Sequence, residues 1–200
     1  MERVTEDNEL IKTLAFTEDL KLLVDVPVER LDAPDINWYW VDITSHDESD
    51  ISLLSEHFNF HHLAIEDCLL DYERPKVNYY NEYNFFVLNA LNLTNLTTVD
   101  LNLFVGKNYI VSFHKVELIE ISNVHEKVIS NENIWAEGHL YVTYLIFDKI
   151  VDQYFPAVYQ VEDNLERIVI RAGGCDLKRR IMNCLYRLLL PLEVFLLSHA

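Results

Sequence analysis

Four carboxylates stand at spacings that could hold a metal ion. Glu66 and Asp67 are adjacent in a short segment between His62 and Pro75, and Asp148 and Asp152 lie four residues apart, one turn along a single helix face. Oxygen ligands of this kind suit a hard cation such as Mg²⁺, which keeps several waters and takes one or two carboxylates from the protein. The plain alternative is that acids on a helix surface are simply solvated. His57 and His61 are also four apart, with His62 next to the second, and could turn two imidazoles toward zinc or cobalt. A third ligand is not evident, and surface or packing histidines are the competing explanation.

Other chemistry is missing from the sequence. There is no GxSxG, no phosphate-cradling GxxxxGK[ST] and no GxGxxG, and the whole chain has only four glycines, so an enzyme is not expected. Sixteen Lys and Arg against 33 Asp and Glu give a net charge of −17, which repels nucleic acid and anionic lipid and favours cations as partners. Arg74-Pro75-Lys76 is a basic step in this acidic background. Proline there sets a strand entry, and the flanking cations balance Glu66, Asp67, Asp71 and Glu73. Cys68, Cys175 and Cys184 are odd in number and lack metal-knuckle spacing, and the start lacks a signal-peptide pattern, which together indicate a reducing compartment. The most apolar run, Leu188 to Leu197, is broken by Pro191 and Glu193 and falls short of a membrane span.

The elements that must position these residues are legible in outline. Thr13–Phe16, Leu20–Val26 and Trp38–Ile43 have the β-branched and aromatic content of strands. Ser45-His46-Asp47-Glu48 fits a capping box that opens a helix through Ile51, Leu54 and Phe58, and a second helix is expected from His62 to about Leu70. Lys76–Tyr80, Tyr83–Leu93, Thr98–Val105 and Tyr109–His114 read as strands, the last two joined at Gly106-Lys107-Asn108, where glycine and asparagine would tolerate positive φ. A helix is expected over Val116–Ser130, and Asn131-Glu132-Asn133 reads as a loop. The triplets Asn92-Leu93-Thr94 and Asn95-Leu96-Thr97 read as a turn.

From Gly138, Leu140, Tyr144, Phe147, Val151, Tyr154, Val158, Val161, Leu165 and Ile168 fall at spacings of three and four, predicting one long helix with a single apolar stripe. Pro156 costs that helix a hydrogen bond and kinks it. Gly173-Gly174 ends it before a second helical pattern from Asp176, forming an α-hairpin. The fold class is α/β (α+β): a mixed sheet sandwiched by helices, followed by a long helical hairpin. The expected division is an α/β domain over residues 1–135 and long helices over 136–200.

Four segments then fall into a known order. His61-His62-Leu63-Ala64-Ile65-Glu66-Asp67, Arg74-Pro75-Lys76-Val77 and Tyr83-Asn84-Phe85-Phe86-Val87-Leu88 closely resemble the N-terminal domain of CorA-type magnesium transporters. Tyr144 to Phe155, with its Asp148, Val151-Asp152 and Tyr154-Phe155, is similar to that family's first long-helix pattern, and Leu189-Leu190-Pro191-Leu192 to a later helix. The resemblance runs from about Trp38 to the C-terminus.

What it implies is a homopentameric Mg²⁺/Co²⁺ transporter of the cell membrane, whose cytoplasmic funnel is built of such domains. The membrane would be met only through a stalk and two pore helices expected after residue 200, the first ending in Gly-Met-Asn. In the family, acids matching Glu66, Asp67 and Asp148 face a stalk aspartate between subunits, and Asp152 matches a further acid. Regulatory Mg²⁺, or Co²⁺ or another divalent ion, would bridge them and favour the closed state, since carboxylates held close repel and an intervening cation offsets that repulsion. Identical subunits and divalent cations are therefore the implied partners, with no nucleic acid. A zinc-handling relative of the same superfamily, drawing on His57, His61 and His62, and a free-standing acidic oligomerisation module are the competing readings.

Overall fold

The computed structural model describes residues 11–45, 48–70, 74–92 and 97–172. Seven strands form one mixed sheet in the order β2-β1-β3-β7-β6-β5-β4. They are β1 (Ile11–Thr17), β2 (Leu22–Val24), β3 (Ile36–Thr44), β4 (Lys76–Tyr79), β5 (Tyr83–Asn92), β6 (Thr97–Gly106) and β7 (Tyr109–His114). All neighbours are antiparallel except β3 and β7, which run parallel at the centre with Tyr39 opposite Tyr109 and Thr44 opposite His114. The expected β6–β7 hairpin is present and sits inside the sheet, because β3 adds to its free side.

Gly106 is needed there for a different reason from the one the sequence suggests. Neither it nor Asn108 has positive φ, whereas a Cβ on Gly106 would lie 2.2 Å from the Tyr109 ring. Close approach of a side chain, rather than left-handed backbone, selects glycine at this turn.

The inner strands alternate their side chains between two buried faces, as a sheet covered on both sides requires. Tyr39, Val41, Phe85, Val87, Phe104 and Phe113 face a layer carrying α1 (Glu48–Glu56) and α2 (His62–Leu69). Trp38, Trp40, Leu101, Leu103 and Ile110 face the opposite layer, built of α3 (Ile119–Ser130), α4 (Glu132–Glu137) and α5 (His139–Asp152). Helix α1 is described from Glu48, and the expected capping box runs through residues 46 and 47, which lie outside the described residues; Ser45 follows β3, its backbone amide donating to the His114 carbonyl at 3.1 Å.

Two expectations in the helical half need correction. Asn131-Glu132-Asn133 is not a loop: the Asn131 side chain accepts from the Asn133 amide at 3.1 Å and caps α4, the usual work of asparagine at a helix start. The single long helix is two helices, α5 and α6 (Tyr154–Ala172), parted at Gln153. Pro156 is the cause, because it offers no amide to the Asp152 carbonyl four residues back and its ring crowds that carbonyl. The Gln153 amide turns instead to Ile150 O at 3.3 Å, a tighter closing turn.

The predicted stripe is also not the buried face. Val142, Leu145, Ile146 and Ile150 enter the core, whereas Leu140 is 64% exposed and Tyr144, Phe147 and Val151 are half-buried flanks. Helix α5 has apolar residues on more than one side, and its aliphatic face took the sheet. Tyr141 and Tyr159 add to the apolar surface left outside. The second arm of the predicted hairpin, from Asp176, lies outside the described residues, as do the side chains of Leu165 and Ile168 and the Leu93–Leu96 part of the predicted turn.

Two half-buried histidines give the fold an acid sensitivity. Burial lowers the pKa of His125, whose ring meets Trp40 edge-on at 5.3 Å, from the ordinary 6.5, against an upward pull from the Asp42 carboxylate. Burial likewise lowers His139. Because the folded values lie below the unfolded one, this stability is present above about pH 6.5 and lost as pH falls through the lowered values. The melting temperature is therefore expected to drop between pH 7.5 and 5.5, before carboxylates titrate, and to drop less in His125→Gln. An equal drop in the variant would remove His125 as the cause.

Candidate functional site

Helix α2 is fixed at its start by His61. Its Nδ1 accepts from the Leu63 amide at 3.3 Å, and its own amide donates to the Tyr83 hydroxyl at 2.8 Å. Ala64 and Cys68, one turn apart, enter the core and so turn Glu66 outward. Asp67 lies on the flank with its side chain 16% exposed, bonded to Lys76 Nζ at 2.8 Å. At the other end of α2, Lys115 Nζ donates to the Leu69 and Leu70 carbonyls at 2.7 and 3.3 Å, which suits the negative end of a helix. Burial, then the neighbouring Asp67 charge, pushes the Cys68 thiol far up, and its Sγ donates to Ala64 O, so it is inert packing.

Asp148 and Asp152 are exposed on α5, as their spacing predicts. They line a cleft of about 160 Å³ between α3 and α5 with Asn123, Lys127 and Lys149. The Tyr144 hydroxyl lies 3.5 Å from Asp148, and that carboxylate is the leading cause of the raised Tyr144 pKa. Glu66 and Asp67 thus belong to the layer on one face of the sheet, Asp148 and Asp152 to the layer on the other. One chain does not bring the two pairs together, and no cluster of three or more His, Cys, Asp or Glu among the described residues could hold a metal. Each pair by itself offers oxygen donors of the kind a partly hydrated Mg²⁺ accepts.

The histidines have other work. His57 lies 3.8 Å from Asp32 and edge-on to Phe58, His61 caps α2, and His62 stacks on His61 at 4.4 Å. The balance of charge expected for Lys76 is found in its bond to Asp67.

A buried polar cluster escaped the sequence reading. Asp42 on β3 and Ser112 and His114 on β7 lie on the parallel seam beneath α3. The Ser112 hydroxyl donates to the Asp42 carboxylate and accepts from Trp40 Nε1 at 2.9 Å. His114 Nε2 lies 3.0 Å from Asp42 Oδ1, and its Nδ1 lies 2.7 Å from the Val116 carbonyl. Both ring nitrogens face acceptors, so the ring is held between the Asp42 carboxylate and the Val116 carbonyl. Although Ser, His and Asp are the types of a hydrolytic triad, the hydroxyl bonds the acid rather than the imidazole, and Ser112 is fully buried. The cluster ties strands together. Its signal in the sequence was an acid and a histidine inside runs otherwise fit for a core.

Comparisons with known proteins agree with this architecture. The family described as "CorA-like Mg2+ transporter protein" matches residues 35–188. "Putative metal ion transporter YfjQ" of Bacillus subtilis is 40% identical over 159 residues, covering 80% of this chain and 50% of the relative. "Cobalt/magnesium transport protein CorA" of Thermotoga maritima is 29% identical over 133 residues, covering 64% of this chain and 38% of the relative. The chain thus spans half or less of the length of these relatives. Among solved structures, the soluble domain of CorA from Methanocaldococcus jannaschii superposes with a TM-score of 0.63 at 19% identity, covering 88% of this chain and 68% of that one. These relatives are transporters rather than enzymes, and no helix among the described residues is long and apolar enough to cross a membrane. By its sequence match and its fold, the chain belongs to the CorA-like Mg²⁺ transporter family.

Proposed function

We propose that the chain is the cytoplasmic, Mg²⁺-sensing part of a homopentameric Mg²⁺/Co²⁺ transporter of the cell membrane. Regulatory ions bridge Glu66 and Asp67 of one subunit to acids of its neighbour, Asp148 and Asp152 among the candidates together with an aspartate of a following stalk helix. The observation that carries this reading is the separation of the acidic pairs on opposite layers of the sheet. Each pair supplies too few ligands to enclose an ion alone, so a shared ion requires a second chain. Residues 1–135 then form the sensing domain, and residues 136–200 the long helices that lead toward the pore.

The switch is a shift of population. Ions bind the closed ring better than the open one, and when they leave, repulsion between facing carboxylates loosens it. Mg²⁺ should therefore raise the melting temperature of the full open reading frame with a saturable concentration dependence. In Asp67→Ala with Asp148→Ala, that rise is expected to vanish. A rise unchanged in the double variant would mean that these carboxylates are not ligands.

A further inference from the structure

We propose that Lys76, and across the sheet Lys127 and Lys149, are tethered cations that compete with the divalent ion for these carboxylates and raise the concentration at which it binds. The inference rests on the reading of Asp67 and Asp148 as ligands and adds what controls their occupancy. Two separate places in the fold support it. On α2, the Lys76 ammonium already makes a 2.8 Å charge-assisted bond to Asp67, in a setting where both side chains are mostly shielded. On α5, Asp148 and Asp152 share a cleft of about 160 Å³ with Lys127 and Lys149. Each acidic pair has ammonium groups from its own chain within its surroundings.

An ion entering beside Asp67 must therefore exchange with an ammonium rather than meet a bare carboxylate. Lys76 is anchored on β4, opposite Val87, so a displaced head group stays within reach of Asp67. The head group then remains tethered nearby and repels the incoming double charge, which weakens binding. The same group works in the opposite direction once the ion has gone. It returns to Asp67 and neutralises part of the charge that would otherwise push subunits apart. Lysine thus moves the switching point to higher Mg²⁺ and softens the repulsion on emptying. Lys127, exposed on α3, and Lys149 on α5 line the same cleft as Asp148 and Asp152 and place positive charge beside them.

The test is the Mg²⁺ concentration at half-maximal thermal stabilisation of the full open reading frame, measured with Mg²⁺ alone in chelator-treated protein. Lys76→Met is expected to lower that midpoint about tenfold, which corresponds to about 1.4 kcal/mol, whereas Lys76→Arg, which keeps the charge, should stay near the wild-type midpoint. Lys127→Gln with Lys149→Gln changes side chains at the cleft surface and should shift the midpoint in the same direction, which keeps the proposal testable if Lys76→Met folds poorly. Unchanged or higher midpoints in the lysine variants, with the Mg²⁺ response abolished by Asp67→Asn, would overturn the competition while leaving the ligand assignment standing. A response untouched by Asp67→Asn would overturn both.

Discussion

Asp42→Ala is expected to cost about 2–5 kcal/mol, because it leaves two buried groups, on His114 and Ser112, each without its hydrogen-bond partner at about 1–3 kcal/mol apiece. Such a loss is a large part of the roughly 5–15 kcal/mol by which domains are stable. The reason lies in what stays behind. His114 is 1% exposed and Ser112 fully buried, so without the carboxylate the ring nitrogen and the hydroxyl lose their acceptor where no water reaches. The loss falls on the β3–β7 seam, the one parallel junction in the sheet and the join between its two antiparallel halves. Asp42→Asn should cost less, because its amide oxygen still accepts from Ser112 and from the ring. Urea unfolding would show the effect as a lower midpoint at unchanged slope. A shift worth under about 1 kcal/mol in Asp42→Ala would mean that the cluster does not hold the seam.

Phe104→Ala is expected to cost a similar amount, about 3–5 kcal/mol, through lost burial and the cavity left behind. Phe104 is fully buried, stacked on Phe60 with centroids 3.9 Å apart, and within 4.7 Å of the Phe85 ring and 5.7 Å of the Tyr83 ring. Phe60 immediately precedes the His61 cap of α2, and Tyr83 receives the His61 amide. The cavity would thus open under the helix that carries Glu66 and Asp67. Hydrogen exchange is expected to show protection lost at Ala64 and Cys68 before it is lost in α5. Uniform loss across both layers would show that this aromatic stack does not position α2 in particular.

The parts of the fold that could be read from the sequence are those where local pattern and tertiary context agree. The runs Trp38–Ile43 and Tyr109–His114 are rich in β-branched and aromatic residues and became the central strands. The expected His62–Leu70 helix appears within one residue because Pro75 and the alternation after it bound the segment. Where two outcomes have similar local signals, the sequence could not choose between them. Helix α5 carries apolar residues on several faces, so period alone did not identify Val142, Leu145, Ile146 and Ile150 as the buried set. Pro156 was visible, but its effect falls four residues earlier, at Asp152, and divides the helix into α5 and α6.

The candidate site divides in the same way. That Glu66, Asp148 and Asp152 would be exposed on helices follows from spacing, because the buried residues stand two positions away and so on the opposite face: Ala64 and Cys68 about Glu66, Ile146 and Ile150 about Asp148, and Ile150 before Asp152. The Asp67–Lys76 bond spans a helix and a strand, and the Asp42–His114 contact joins residues 72 apart in sequence. No periodicity reports such contacts, since they depend on which strands become neighbours. The separation of the two acidic pairs on opposite layers has the same origin, and it is the feature that makes a neighbouring subunit necessary in the proposed mechanism.

The most direct test of that mechanism is Mg²⁺ uptake by cells expressing the full open reading frame, followed as internal Mg²⁺ is raised. Wild-type uptake is predicted to shut off with rising internal Mg²⁺, while Asp67→Ala with Asp148→Ala continues to transport at the same internal level. Absence of Mg²⁺ or Co²⁺ uptake by the wild type, or an identical shut-off in the double variant, would contradict the account.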